Sequence, residues 1–172
     1  MNKRITKITL VALIAALYTV ISLIIAPLAY GQIQIRVSEA LTILPCISVL
    51  GVYGVTLGCL LTNFIGALMG VNLLGFIDVF IGTFATLIAA ILSFKLRNYR
   101  WLGLPIFAMI PVILVNALII GLELTYFYLG SFDLNLLLVN IVYVGIGQVI
   151  SVIIGLLIYK PLAKVFVKTF KT

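Results

Sequence analysis

The acid–base inventory of this 172-residue chain is small: Glu39, Asp78, Glu123 and Asp133, with no histidine and only two cysteines, Cys46 and Cys59. Histidine is the commonest general base and metal ligand, so its absence speaks against acid–base catalysis and against a metal centre. Two thiols inside apolar runs make neither a zinc site nor a disulfide framework. No Gly-x-x-x-x-Gly-Lys-Ser/Thr phosphate loop occurs, so ATP is not hydrolysed by that route. What remains is hydrogen-bonding chemistry. Glu39, Asp78 and Glu123 accept, Arg36 donates, and Gln34, Asn63, Asn116 and Asn140 do both. Such a set can hold a small polar molecule but has little means of transforming one. The expectation is a binding protein, not an enzyme, without metal or cofactor.

These polar groups sit in a chain that is 65% hydrophobic and 9% charged, far from the roughly 25% charge of soluble domains. Neither a water-exposed surface nor a disordered segment can be built from it. The net charge of +7 does not indicate nucleic-acid binding, because basic residues count only as a patch. With about 20 apolar residues per crossing, the chain predicts one all-α integral membrane domain. The first apolar run is longer than the core of a secretory signal, about 7–15 residues, and is read as a retained helix. Ala40–Leu68 reads either as one long helix or as two short ones turning at Gly51–Gly54. Charge placement decides between them. Two crossings put every basic residue except Arg36 on one side: Lys3, Arg4, Lys7, Lys95, Arg97, Arg100, Lys160, Lys164, Lys168 and Lys171. Basic residues mark the cytoplasmic side. The reading is therefore six transmembrane helices over residues 5–28, 39–50, 54–69, 76–95, 103–123 and 135–160, with both termini in the cytoplasm.

Depth then sorts the polar side chains. At about 1.5 Å rise per residue, Asn63 falls in the outer half of the third span and Asp78 in the first turn of the fourth. Asn116 and Glu123, two turns apart on one face, fall in the outer half and at the mouth of the fifth. Asn140, Gly147, Gln148 and Ser151 share a stripe of the sixth. Glu39 opens the second span after Gln32, Gln34 and Arg36. Polar groups inside a bilayer are costly and normally face the bundle interior. Each Asn alone would serve equally well to bond helix to helix; their common depth predicts a cup open to the outside with an apolar floor. Small-x-x-x-small pairs also recur: Ala12/Ala16, Gly54/Gly58, Gly66/Gly70, Ala85/Ala89 and Gly147/Ser151/Gly155. Most must be internal packing. Ala12 and Ala16, near the cytoplasmic end, are the candidates for a partner helix.

The stretch Gln34-Ile35-Arg36-Val37-Ser38-Glu39-Ala40-Leu41, followed by Leu44-Pro45, resembles the signature of the queuosine-precursor transporter family. The run Gly58-Cys59-Leu60-Leu61-Thr62-Asn63 and the series Asp78, Gly82, Ala85-Thr86-Leu87 are similar to its next two landmarks, so the resemblance covers nearly the whole chain. That family belongs to the substrate-binding (S) components of energy-coupling factor (ECF) importers: six-helix proteins of the bacterial cell membrane with cytoplasmic termini and an outward-facing site. The resemblance implies capture of a 7-deazaguanine such as preQ1, preQ0 or queuine. It also implies docking on a transmembrane coupling protein driven by two ATPase subunits, with Ala12 and Ala16 as the coupling motif. The ring's N1–H and exocyclic amino group suit a carboxylate, for which Glu39 and Asp78 come first and Glu123 third. An aminomethyl cation, as in preQ1, would want a second acid. Arg36 is expected to orient Glu39. Asn63, Asn116 and Asn140 would supply a carbonyl donor, with Tyr143, Tyr126 or Phe127 as stacking partner.

Three alternatives carry different signatures. An S component for another vitamin or small heterocycle would share the architecture. A membrane enzyme acting on lipid needs a constellation at one interface, and four acids without histidine give it little. An autonomous secondary transporter working as a homodimer would favour repeats and broken helices at mid-depth, and no convincing repeat joins the two halves.

Overall fold

The computed structural model describes residues 3–30, 35–128, 130 and 133–170, whose regular elements are all helical, with one isolated bridge between Trp101 and Leu104. Helix α1 (Lys3–Ile24) is followed by the single turn α2 (Ala26–Ala29), then by a 3-10 helix over Val37–Cys46. Helices α3 (Val49–Leu68), α4 (Phe76–Leu96) and α5 (Ile106–Glu123) follow, α5 widening into a π turn over Leu124–Tyr128 before α6 (Leu134–Phe170). Among the described residues, five helices are long and apolar enough to cross a membrane: α1, α3, α4, α5 with its π turn, and α6. Large apolar side chains such as Phe80, Phe84, Ile24 and Leu157 cover the exterior, while Asn63, Asp78, Asn116 and Gln148 are buried. This inversion suits lipid as solvent.

The second predicted span takes a form that hydropathy does not reveal. Its 10 residues, at about 2.0 Å rise each, reach roughly 20 Å, short of the about 30 Å hydrocarbon core. The turn into α3 also falls earlier than expected, at Ile47–Ser48 rather than Gly51–Gly54, and α3 runs through both glycines. Pro45 sits in the last turn of the 3-10 helix, and Ser48 caps α3 by accepting the Leu50 N–H at 3.2 Å. The glycines serve packing instead. A Cβ on Gly51 would strike the backbone of Leu44 and Pro45, and one on Gly54 would lie 2.6 Å from the Ile14 side chain. Association in lipid depends on such close backbone approach, because burying apolar surface gains little there.

Contacts fix the direction of each helix. Ile14 lies at Gly54, Tyr18 at Gly58 and Tyr30 at Gly66, so α1 and α3 are parallel and the 3-10 helix carries the chain back between them. Asn63 meets Asp78 and Cys59 meets Gly82, so α4 is antiparallel to α3. Thr125 meets Asn140 and Asn116 meets Gln148, so α6 is antiparallel to α5. The start of α1, the 97–105 connection and the end of α6 therefore gather at one end of the bundle with the described basic residues other than Arg36. The polar cluster lies toward the other. Between them sits an apolar core of Ile43, Leu44, Val55, Ala89, Met109 and Val112, all buried. On α6, the stripe Ser151–Gly155 cradles the 3-10 helix: Ser151 Oγ donates to the Arg36 carbonyl at 3.0 Å, and a Cβ on Gly155 would lie 2.7 Å from the Ala40 carbonyl oxygen.

Candidate functional site

Arg36 and Asp78 form the centre of the cluster. Arg36 precedes the 3-10 helix, is buried, and places its guanidinium 3.3 Å from Asp78 Oδ2 and 5.3 Å over the Tyr30 ring. Burial pushes the Tyr30 phenol up to about 12, so it stays a neutral donor, and it bonds the Thr62 carbonyl at 2.8 Å. Asn72 Nδ2 donates to the same Asp78 Oδ2 at 2.9 Å, and Asn63 Nδ2 donates to the Asp78 backbone carbonyl at 2.9 Å. Asp78 can lean inward because residue 82, one turn further along α4, is glycine: a Cβ there would overlap the Asp78 carboxylate and crowd Asn63 Nδ2 at 2.8 Å. The expectation that Arg36 orients Glu39 is corrected. Its ion pair is with Asp78.

Glu39 is instead held by α1. Tyr18 Oη donates to Glu39 Oε1 at 2.5 Å, and one turn further on Ser22 Oγ lies 2.5 Å from Ser38 Oγ. Beneath them Thr86 Oγ1 donates to Cys59 Sγ at 3.2 Å, and Asn63 Nδ2 lies 3.5 Å from the same sulfur. Both cysteines are free and buried. Among the described residues, Glu39 Oε2, Asp78 Oδ1 and Asn63 Oδ1 are buried oxygens without a hydrogen-bond partner. Buried polar atoms are nearly always paired. Three unpaired acceptors in one cluster are therefore a local excess that a donor-rich molecule would complement.

The remaining predicted residues divide. Asn116 is buried and reaches Gln148 Oε1 at 3.5 Å, joining α5 to α6. Asn140 Nδ2 donates to Thr125 Oγ1 at 2.9 Å, which ties α6 to the π turn rather than to the Asp78 group. Glu123 is buried, with neither carboxylate oxygen partnered among the described residues. Asp133 is exposed and accepts the Asn135 N–H at 2.7 Å, capping α6. Tyr143, Tyr126 and Phe127, named as stacking candidates, lie on the bundle exterior; amphipathic rings also belong at membrane interfaces without any ligand. Gln34 lies outside the described residues. Tyr18 and Asn72 join the cluster without having been singled out from the sequence, and Thr86, quoted only within a family landmark and given no role, joins it too. Tyr18 carried a usable signal, since a phenol within a span needs a polar partner. On α1, Ala12 and Ala16 face outward while Ala15 between them is buried against α3. Beside Ala12 runs a groove of about 330 Å³ lined by Lys7, Ile8, Val11, Leu50, Tyr53 and Leu57.

Among the described residues no group of three or more Cys, Asp or Glu is placed to hold a metal ion. A family model described as QueT transporter matches residues 8–164. A curated relative, "Queuosine precursor transporter QueT" of Lactococcus lactis subsp. cremoris (strain MG1363), is 30% identical over 103 residues, covering 56% of this chain and 57% of the relative. The matched stretch thus spans just over half of that relative's length. No solved structure gives a significant match.

Proposed function

The chain belongs to the QueT transporter family, and from that premise we propose that it captures a 7-deazaguanine queuosine precursor (preQ1, preQ0 or queuine) from outside the cell, as the S component of an ECF importer. The observation that carries this reading is the set of unpaired buried acceptors, Glu39 Oε2, Asp78 Oδ1 and Asn63 Oδ1. A guanine-type edge presents an N–H and an amino group side by side, the donors that such acceptors want. Asn72 and Arg36 hold Asp78, and Tyr18 holds Glu39, so both carboxylates are oriented before a ligand arrives. Placement is the main cost of binding that a rigid site avoids.

Sidedness follows the positive-inside rule. The end that gathers the start of α1, the 97–105 connection and the end of α6 faces the cytoplasm, and the cluster faces out. Below the cluster the core is apolar, so the chain offers no continuous polar path. Delivery then requires the protein to act with partners, a coupling protein and two ATPase subunits. Ala12, at the α1/α3 groove, and Ala16, exposed one turn further along α1, are where the coupling protein would approach. ATP hydrolysis belongs to those partners.

The test is calorimetric titration of the full chain, in detergent or nanodiscs, with preQ1, preQ0 and queuine. Saturable binding of at least one, competed by another, is expected. Tight binding of an unrelated vitamin with no response to any of the three would overturn the substrate class.

A further inference from the structure

Glu123 is a carboxylate the Arg36–Asp78 cluster leaves unused. It is 2% exposed at the end of α5, and neither of its oxygens has a partner among the described residues. It lines a groove of about 390 Å³ with Ile81, Ile119, Leu122, Tyr126 and Phe127. Leu122, Tyr126 and Phe127 are exposed, so the groove opens sideways while its acid is buried. The helix changes character at that point: the π turn begins at Leu124, and Thr125 Oγ1 donates back to the Gly121 carbonyl at 2.8 Å. Such π segments are enriched at functional sites.

A carboxylate buried without a partner carries a large desolvation cost. Among the described residues the buried charged side chains are Arg36 and three acids, Glu39, Asp78 and Glu123, and Arg36 is engaged with Asp78. The local balance calls for a cation from outside the chain. A primary ammonium has three donors and can bond both oxygens of one carboxylate, and the rings of Tyr126 and Phe127 at the groove favour a positive charge. Ile81, which lines the same groove, lies three residues from Asp78 on α4, so the groove borders the helical turn that carries the cluster's acid.

We propose that Glu123 receives a primary ammonium group on the ligand and so selects an aminomethyl-bearing base over its neutral nitrile counterpart. This rests on the substrate class proposed above. The experiment is calorimetry on the full chain with 7-aminomethyl- and 7-cyano-7-deazaguanine, for the wild type, Glu123→Gln and Glu123→Asp. The wild type should prefer the amine. Glu123→Gln should lower that preference by roughly ten- to a hundredfold, the effect of losing one charge-assisted hydrogen bond, and Glu123→Asp should keep most of it. Equal weakening of both ligands by Glu123→Gln, or no change in their ratio, would overturn the assignment while leaving the substrate class intact. If neither ligand bound the wild type, the assignment would fall, and titration with queuine would decide the substrate class separately.

Discussion

Two buried acids in the cluster do different work, and substitution separates them. Asp78 is held within the protein through Oδ2, which takes Arg36 and Asn72, and keeps only Oδ1 unpaired. Glu39 keeps Oε2 unpaired while Tyr18 anchors Oε1. Glu39→Gln preserves an acceptor for Tyr18 and removes the charge. It should weaken a deazaguanine ligand by about 1.5–3 kcal/mol with little change in thermal unfolding in detergent. Arg36→Gln should do the reverse first: stranding a buried Asp78 costs about 3–5 kcal/mol, read as a lower unfolding temperature without ligand. Wild-type affinity in Glu39→Gln would remove that residue from direct contact.

At the scale of elements, glycine decides where backbones meet. Gly82 leaves room for Asp78 and Asn63 to converge, so Gly82→Ala should displace both and lower ligand affinity by about tenfold or more, measured by titration. Gly51→Ala should instead destabilise, by about 1–3 kcal/mol, because the added methyl meets the backbone of Leu44 and Pro45. The same glycines explain what could be read in advance. The five long apolar helices follow from hydropathy alone, because lipid leaves no other solution for the backbone. The convergence of Glu39, Asp78, Asn63 and Arg36 follows from depth, since a polar side chain at a given level must face inward. The 3-10 geometry of residues 37–46 leaves no mark on hydropathy, which averages over the spacing that distinguishes it from α-helix. Gly51–Gly54 reads as a turn because glycine's two uses, bending and close packing, look identical in a sequence. Asn72 reads as a loop residue and Thr86 as an apolar-run residue. Their roles depend on tertiary neighbours that no local pattern encodes.

Taken whole, the protein has a buried polar cluster toward one end and exposed basic residues at the other. Cys46 and Cys59 are buried, which makes sidedness directly measurable. Met69→Cys, at the cluster end, should react with a membrane-impermeant maleimide in intact cells, and Asn98→Cys only after permeabilisation. The opposite pattern would invert the topology. Ala12→Trp should abolish uptake in cells yet leave ligand titration unchanged, because Ala12 faces away from the bundle; loss of binding would place it in the packing instead. The one tryptophan, Trp101, is exposed in the 97–105 connection, where it bridges to Leu104 at the basic end. Its indole emission is therefore a gauge of the headgroup layer at the basic end and blind to what occupies the other. A flat fluorescence trace during titration says nothing against binding, and heat, not light, is the signal to follow.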